Sequence, residues 1–409
     1  MTMTAEQLRK YAELAVRQGI NVQPGQKVIV RAPVEAAAFA REVVKQAYAA
    51  GANHVWVDWS DEDTLRTRLE LAPEETLELV PEGYVRDFVG TLEEGGAMLG
   101  IYAPKPGHLS GLDAARIGKY YQALGKAMRR QRDLQQASKS SWSMVMIPTP
   151  EWAAIVFPEL SPEAGMTKLW DSIRYITGLD QEDPIAYWQQ KVEQIESRAK
   201  WLTDEQFLRL HYSGGGTELS LELPRGHIWV GGRLTDEKGT KYLPNIPTEE
   251  VFSAPLRTGV NGVVKSTFPL EYSGQLIEGI TIKFQDGRIV EASAEKGDAV
   301  LQEMISADDS AQFLGEVALV PQDSPISNLN IVFRNTLFDE NASCHFALGS
   351  AYPLNLKGGQ EMTREQLAEH GLNTSIIHVD FMIGSAELDI DGEREDGTRV
   401  PLFRNGNWA

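Results

Sequence analysis

The stretch "KVIVRAPVEAAAFAREVVKQAYAAGANHVWVDWS", residues 27–60, decides how the first half of the chain folds. It opens on a β-branched run, "KVIVRAP" (27–33), continues through an alanine-rich helical segment (34–52) that ends near Gly51, and closes on a second strand-like run, "HVWVDWS" (54–60). Strand, helix and strand in that order form a βαβ unit, which pairs its strands in parallel through a right-handed crossover. Upstream, "TAEQLRKYAELAVRQG" (4–19) reads as an amphipathic helix. Thr4 and Gln7 have capping-box spacing, Leu8, Tyr11, Leu14 and Ala15 share a face, and Gly19 stands at the stop. Downstream the alternation continues: a strand in 95–104, a long helical stretch in 112–137, a strand in 142–150 and a helical region in 162–200. Residues 1–190 are therefore expected to form an α/β domain with an open, mostly parallel sheet.

Beyond about residue 200 the texture changes to short alternating runs separated by turn residues. "FLRLHYSGGGTELSLELP" (207–224) reads as two strands around a glycine turn, and residues 273–297 as a meander with Asp286-Gly287 at a hairpin tip. The expected second domain, 191–409, is α+β, rich in antiparallel strands, with its boundary near 185–200.

A chain of 409 residues exceeds what one core usually serves, in keeping with two domains. Its 39 Lys and Arg stand against 58 Asp and Glu, a net charge of −19 that repels phosphate backbones and excludes nucleic acid as an expected partner. Cys344 is the single cysteine, so no internal disulfide can form. No run approaches the roughly 18 apolar residues of a membrane span. A soluble, cytoplasmic protein acting on small or cationic partners is expected.

Several familiar chemistries are absent from the sequence. The run "SGGGT" (213–217) lacks the Lys-Ser/Thr pair and following helix of a phosphate loop, and strand-like residues flank it, so it reads as a hairpin turn. No GxGxxG follows 27–33, and there is no GxSxG elbow. Cys344 and His345 are strand neighbours that point to opposite faces, a poor catalytic pair.

The second domain places titratable groups inside apolar segments. In "SIIHVDFMIG" (375–384), His378 and Asp380 are two apart and share a strand face, with Cα atoms about 6.5–7 Å apart. Glu316 heads "GEVALV" (315–320), His345 lies in "ASCHFALGSAY" (342–352), and Glu249 and Glu250 lie in "NIPTEEVFSAP" (245–255), where only one of the two points into a shared site. Each has a bland reading: a satisfied core histidine, a Glu316–Arg334 pair, a solvated turn, an edge strand with one wet face. Together, two imidazoles and several carboxylates make a set suited to Zn²⁺, Co²⁺ or Mn²⁺, although no HExxH spacing occurs.

The blocks "IPTEEVFSAP", "FLGEVALV", "CHFALGSAY" and "HVDFMIG", in this order, resemble the metalloaminopeptidases of family M29, and the likeness runs the length of the chain. The resemblance implies two divalent cations per subunit (Zn, Co, Mg or Mn) held by Glu250, Glu316, His345, His378 and Asp380. Glu316 is expected to bridge them, and Tyr352 to act as a catalytic hydrogen-bond donor. It also implies a homodimer whose enclosed site takes short peptides with a free N-terminus, hydrolysed by a metal-activated water, with Glu249 or Glu250 as the candidate proton shuttle. The rival readings are another dinuclear hydrolase such as a phosphoesterase, recognised by turnover of phosphate esters, and a non-catalytic small-molecule-binding protein that retains no metal.

Overall fold

The structure, a computed structural model, describes residues 3–272 and 275–409, so Ser273 and Gly274 at the head of the expected meander lie outside the described residues. Lys27–Pro33, His54–Ser60, Ala97–Tyr102 and Trp142–Met146 form one four-stranded sheet. The His54–Ser60 strand flanks the Lys27–Pro33 strand on one side and the other two follow on the opposite side, all in parallel. The pairing runs in step from Lys27↔His54 to Pro33↔Ser60, the expected crossover. The intervening helix, Ala37–Ala49, buries Phe39, Ala40, Val43 and Ala47 on one face. At the N-terminus Thr4 caps the helix Ala5–Leu14 with the full capping box, and the chain continues through a π turn, Ala15–Gly19. Tyr11 ties this helix to the fourth strand, donating to the Met146 carbonyl at 3.1 Å and accepting from its N–H at 3.2 Å.

The helical stretch 112–137 breaks in two, Ala114–Ala127 and Arg129–Gln136. Gly125 weakens the last turn of the first piece, since glycine costs about 1 kcal/mol relative to alanine in a helix. Residues 162–200 also divide, into Pro162–Ile176 and Pro184–Glu205, because Gly178 turns left-handed at φ 66° and Pro184 restarts the helix. The strand in 142–150 stops at Met146, where Thr149 caps and Pro150 opens the helix Pro150–Val156.

The chain divides into two compact units: one runs to Gln190 and takes in Arg233–Ile246, and the other comprises Lys191–Gly232 and Pro247–Ala409. The segment Arg233–Ile246 returns to the first unit, where Asn245 bridges Met144 in parallel. A single boundary near 185–200 has no place for this excursion.

The second unit is α+β and rich in antiparallel strands. Its eight-stranded sheet runs, in spatial order, Arg288–Ser293, Thr281–Gln285, Val260–Lys265, Thr217–Glu222, Arg209–Gly214, Asp389–Glu393, Arg399–Arg404 and Asn407–Trp408. Asp286 and Gly287 form a two-residue turn with φ of 49° and 82°, the doubly left-handed geometry of a tight hairpin. A separate antiparallel sheet of four strands has the order His378–Met382, His345–Gly349, Leu314–Leu319, Val251–Ser253. One face of this sheet belongs to the core: Phe346 lies opposite Phe381 with ring centroids 6.2 Å apart, and 5.1 Å from Tyr212 of the larger sheet. Truncating such an aromatic to alanine costs about 3–5 kcal/mol, so the strands beneath the other face are held rigidly.

Candidate metal centre

Residues directly opposite one another in an antiparallel ladder share a face. His345 pairs with Ala318 and Met382, Ala347 with Glu316 and Asp380, and Gly349 with His378. Glu316, His345, His378 and Asp380 thus rise from the face opposite Phe346 and Phe381. Ala318 also pairs with Phe252, and Glu250 stands two residues before Phe252 on the same side. The small residues Ala318, Ala347 and Gly349 leave the middle of the face open to these five longer side chains.

Glu316 reaches this face only because the strand is irregular. Leu314 pairs with Leu348 toward the core, yet Glu316, two residues on, pairs with Ala347, and the register slips between them. Regular alternation would put both on one face; a bulge at Gly315 turns the carboxylate over. A Cβ at Gly315 would lie 2.3 Å from the Gly349 oxygen and 2.5 Å from the Ser350 carbonyl carbon, a space only glycine fits.

The five groups form two triads that share Glu316: Glu250, Glu316 and His345, and Glu316, His378 and Asp380. His345 Nε2 lies 3.3 Å from Glu250 Oε2 and 3.4 Å from Glu316 Oε1. His378 Nε2 lies 3.6 Å from Glu316 Oε2 and 3.5 Å from Asp380 Oδ1. Each oxygen of Glu316 therefore faces a different histidine. Both imidazoles are fixed from behind, His345 Nδ1 by the Ser343 carbonyl at 3.0 Å and His378 Nδ1 by the Ser350 carbonyl at 2.7 Å. A carbonyl only accepts, so each Nδ1 carries a proton and each Nε2 is the nitrogen aimed at the triads, where it becomes a ligand atom once its own proton leaves.

Protonation responds strongly to this crowding. Burial disfavours imidazolium at His345, but hydrogen bonds that it donates to Glu250 and Glu316 hold its pKa well above the ordinary 6.5. At His378 burial again opposes, and the Asp380 charge outweighs it, raising the pKa to about 10. Burial raises the Glu316 pKa in spite of both imidazoles. Burial also works against ionised Asp380, yet His378 keeps its pKa below the ordinary 3.8. Asp380 Oδ1 is buried without a hydrogen-bond partner among the described residues. Three carboxylates and two imidazoles aimed through Nε2 fit divalent cations, with nitrogen and oxygen donors and no thiolate.

Tyr352 stands beside this face, its ring centroid 5.0 Å from His378 and 5.8 Å from Phe252. Burial and then the Glu316 and Asp380 charges raise its pKa well above 10, so the hydroxyl stays a donor. Of the glutamate pair, Glu250 joins the cluster, whereas Glu249 ion-pairs with Lys191 and its N–H donates to Asn341 Oδ1 at 2.7 Å. Glu316 faces the histidines rather than Arg334. Sequence reasoning missed Glu340, whose carboxyl is pushed well above its ordinary pKa by burial and by the Asp380 and Glu250 charges. Cys344 is buried, with its thiol on the Val320 carbonyl at 3.3 Å, a packing residue.

Residues 4–408 match the model of a family described as thermophilic metalloprotease (M29). The chain is 45% identical to Aminopeptidase 2 of Geobacillus stearothermophilus, covering 100% of this chain and 99% of that one. It is 44% identical to Aminopeptidase AmpS of Bacillus subtilis (strain 168), covering 100% of both. In fold it is similar to wild-type AmpT from Thermus thermophilus, with a TM-score of 0.93, 41% identity and 99% of each chain covered.

Proposed function

The chain belongs to the thermophilic metalloprotease family M29, and on that footing we propose that this metal-dependent aminopeptidase works through two divalent cations held by Glu250, Glu316, His345, His378 and Asp380. The observation that carries the reading is the placing of the two Glu316 oxygens against two separate triads, which suits a bridging carboxylate. Zn²⁺, Co²⁺ or Mn²⁺ suits the donor set better than Mg²⁺, which prefers oxygen ligands. Bound cations supply Lewis-acid polarisation of the scissile carbonyl and a water that ionises near neutral pH.

The side chains do the remaining work. The acidic groups around the cluster attract the α-ammonium of a peptide, so a free N-terminus is bound and an acylated one is refused. The Tyr352 hydroxyl donates to the oxygen that gains charge as the carbonyl is attacked, a role typically worth about 3–4 kcal/mol. Glu340 faces the cluster without belonging to either triad, and takes the proton-shuttle role that sequence reasoning left to Glu249 or Glu250. Its carboxyl, lowered in pKa by bound cations, would take the proton of the attacking water and pass it to the leaving amine. The family resemblance further favours a homodimer acting on short peptides.

Hydrolysis of leucine p-nitroanilide by chelator-stripped protein, before and after adding Co²⁺ or Zn²⁺, tests this function. Metal should restore turnover on the free-amine substrate and not on N-acetyl-leucine p-nitroanilide. Turnover of p-nitrophenyl phosphate in its place would reassign the centre to phosphoester chemistry.

A further inference from the structure

A shallow, open depression adjoins the metal face, lined in part by Leu270, Glu271, Arg334, Asn335, Asp339 and Met382. Met382 is the cross-strand partner of His345 and stands on the same face as Asp380, two residues away. Such a step covers about 7 Å along a strand. Asp339 immediately precedes Glu340. A peptide spans about 3.3–3.6 Å per residue, so one held at the triads by its N-terminus brings its second or third residue to this cleft.

Arg334 is unusual in two independent ways. Its backbone is left-handed at φ 51°, a conformation that non-glycine residues adopt rarely and that gathers at functional sites. Arg334 as a residue is half-buried, and its guanidinium makes no ion pair or hydrogen bond among the described residues. The nearby carboxylates do not consume it. Asp339 is occupied by the loop backbone, accepting from the N–H of Phe333 at 2.8 Å and of Asn335 at 3.1 Å. Asp339 and Glu271 both feel the Arg334 charge without forming an ion pair with it. Beside it Asn335 Oδ1 is buried with no partner among the described residues, an acceptor suited to a peptide N–H. A cation with a planar fork of donors, left open in a cleft beside a metal centre, matches a carboxylate in two-point contact.

We propose that this cleft is a carboxylate subsite, in which Arg334 binds a carboxylate on the leaving-group side of the substrate and so sets a preference for short or acidic peptides. The proposal rests on the aminopeptidase reading. The carboxylate has two sources, the C-terminus of a dipeptide or tripeptide and an acidic side chain in the second residue. Bound there, it orients the peptide relative to the triads and acts mainly through KM.

The test compares wild type with Arg334→Met and Arg334→Lys on four substrates: Leu-Gly, Leu-Gly-amide, Leu-Glu-amide and leucine p-nitroanilide. Arg334→Met should lower kcat/KM on a carboxylate-bearing substrate about 10- to 100-fold more than on leucine p-nitroanilide, the scale of a lost charge-assisted hydrogen bond. Most of that loss should lie in KM, and Arg334→Lys should recover part of it. A selective loss on Leu-Gly identifies the terminal carboxylate, and one on Leu-Glu-amide the side chain. Equal losses on all four substrates, or no loss, would overturn the subsite. Wild-type inactivity on leucine p-nitroanilide with metal present would instead overturn the aminopeptidase reading.

Discussion

At the scale of single residues, the proposed centre would hold protons and cations on the same atoms. The His378 pKa is raised from the ordinary 6.5 to about 10, and that of His345 well above 6.5. In the metal-free protein the stabilisation from these imidazolium–carboxylate contacts is fully present below about 6.5 and is lost as pH rises through about 10. A cation needs the neutral Nε2, so binding near neutral pH displaces protons and tightens as pH rises. Calorimetric titration with Zn²⁺ in two buffers of different ionisation enthalpy should therefore report at least about one proton released per chain. Uptake, or no exchange, would contradict the assigned protonation. His378 and Asp380 were legible because a period of two inside an apolar run gives them a common face. Glu340 was not, since a carboxylate in a short polar turn looks like any solvated charge until the fold brings Asp380 and Glu250 toward it.

At the scale of elements, the site depends on one inserted residue. Gly315 produces the slip that sends Leu314 to the core and Glu316 to the metal face. Adding a methyl group by Gly315→Ala drives it into the Gly349 oxygen and Ser350 backbone, an overpacking penalty of about 1–3 kcal/mol. The variant is expected to retain the fold by circular dichroism while losing bound metal on dialysis and most of its kcat/KM; normal metal content would show that the bulge does not aim Glu316. This device was not readable in advance, because a glycine at the head of a strand is indistinguishable in sequence from the end of a turn. The strands themselves were readable, as were the glycine hairpin, with Gly214, Gly215 and Gly216 all at positive φ, and the Asp286-Gly287 tip. Helix ends were less so: Met128 interrupts a stretch whose apolar spacing continues across the break.

At the scale of the whole molecule, the first half was legible as a parallel α/β sheet because strands and helices alternate there with glycine and proline between them. The return of Arg233–Ile246 to that unit was not, since Leu234–Thr235 and Lys241–Tyr242 are too short to display any period. Four sequence blocks spread from residue 246 to 384 meet only when the four-stranded sheet forms, so metal binding should depend on folding of the second unit. Among the described residues, no helix is long and apolar enough to cross a membrane. The central claim is that five side chains on one face of that sheet hold two cations sharing Glu316. Equilibrium dialysis of chelator-stripped protein against Zn²⁺, with metal counted per chain, tests it most directly when run on wild type, His345→Ala and His378→Ala together. The account expects two equivalents in wild type, one in each variant, and turnover of leucine p-nitroanilide only in wild type. One equivalent in wild type, or two in a folded His378→Ala variant that still turns over, would contradict it.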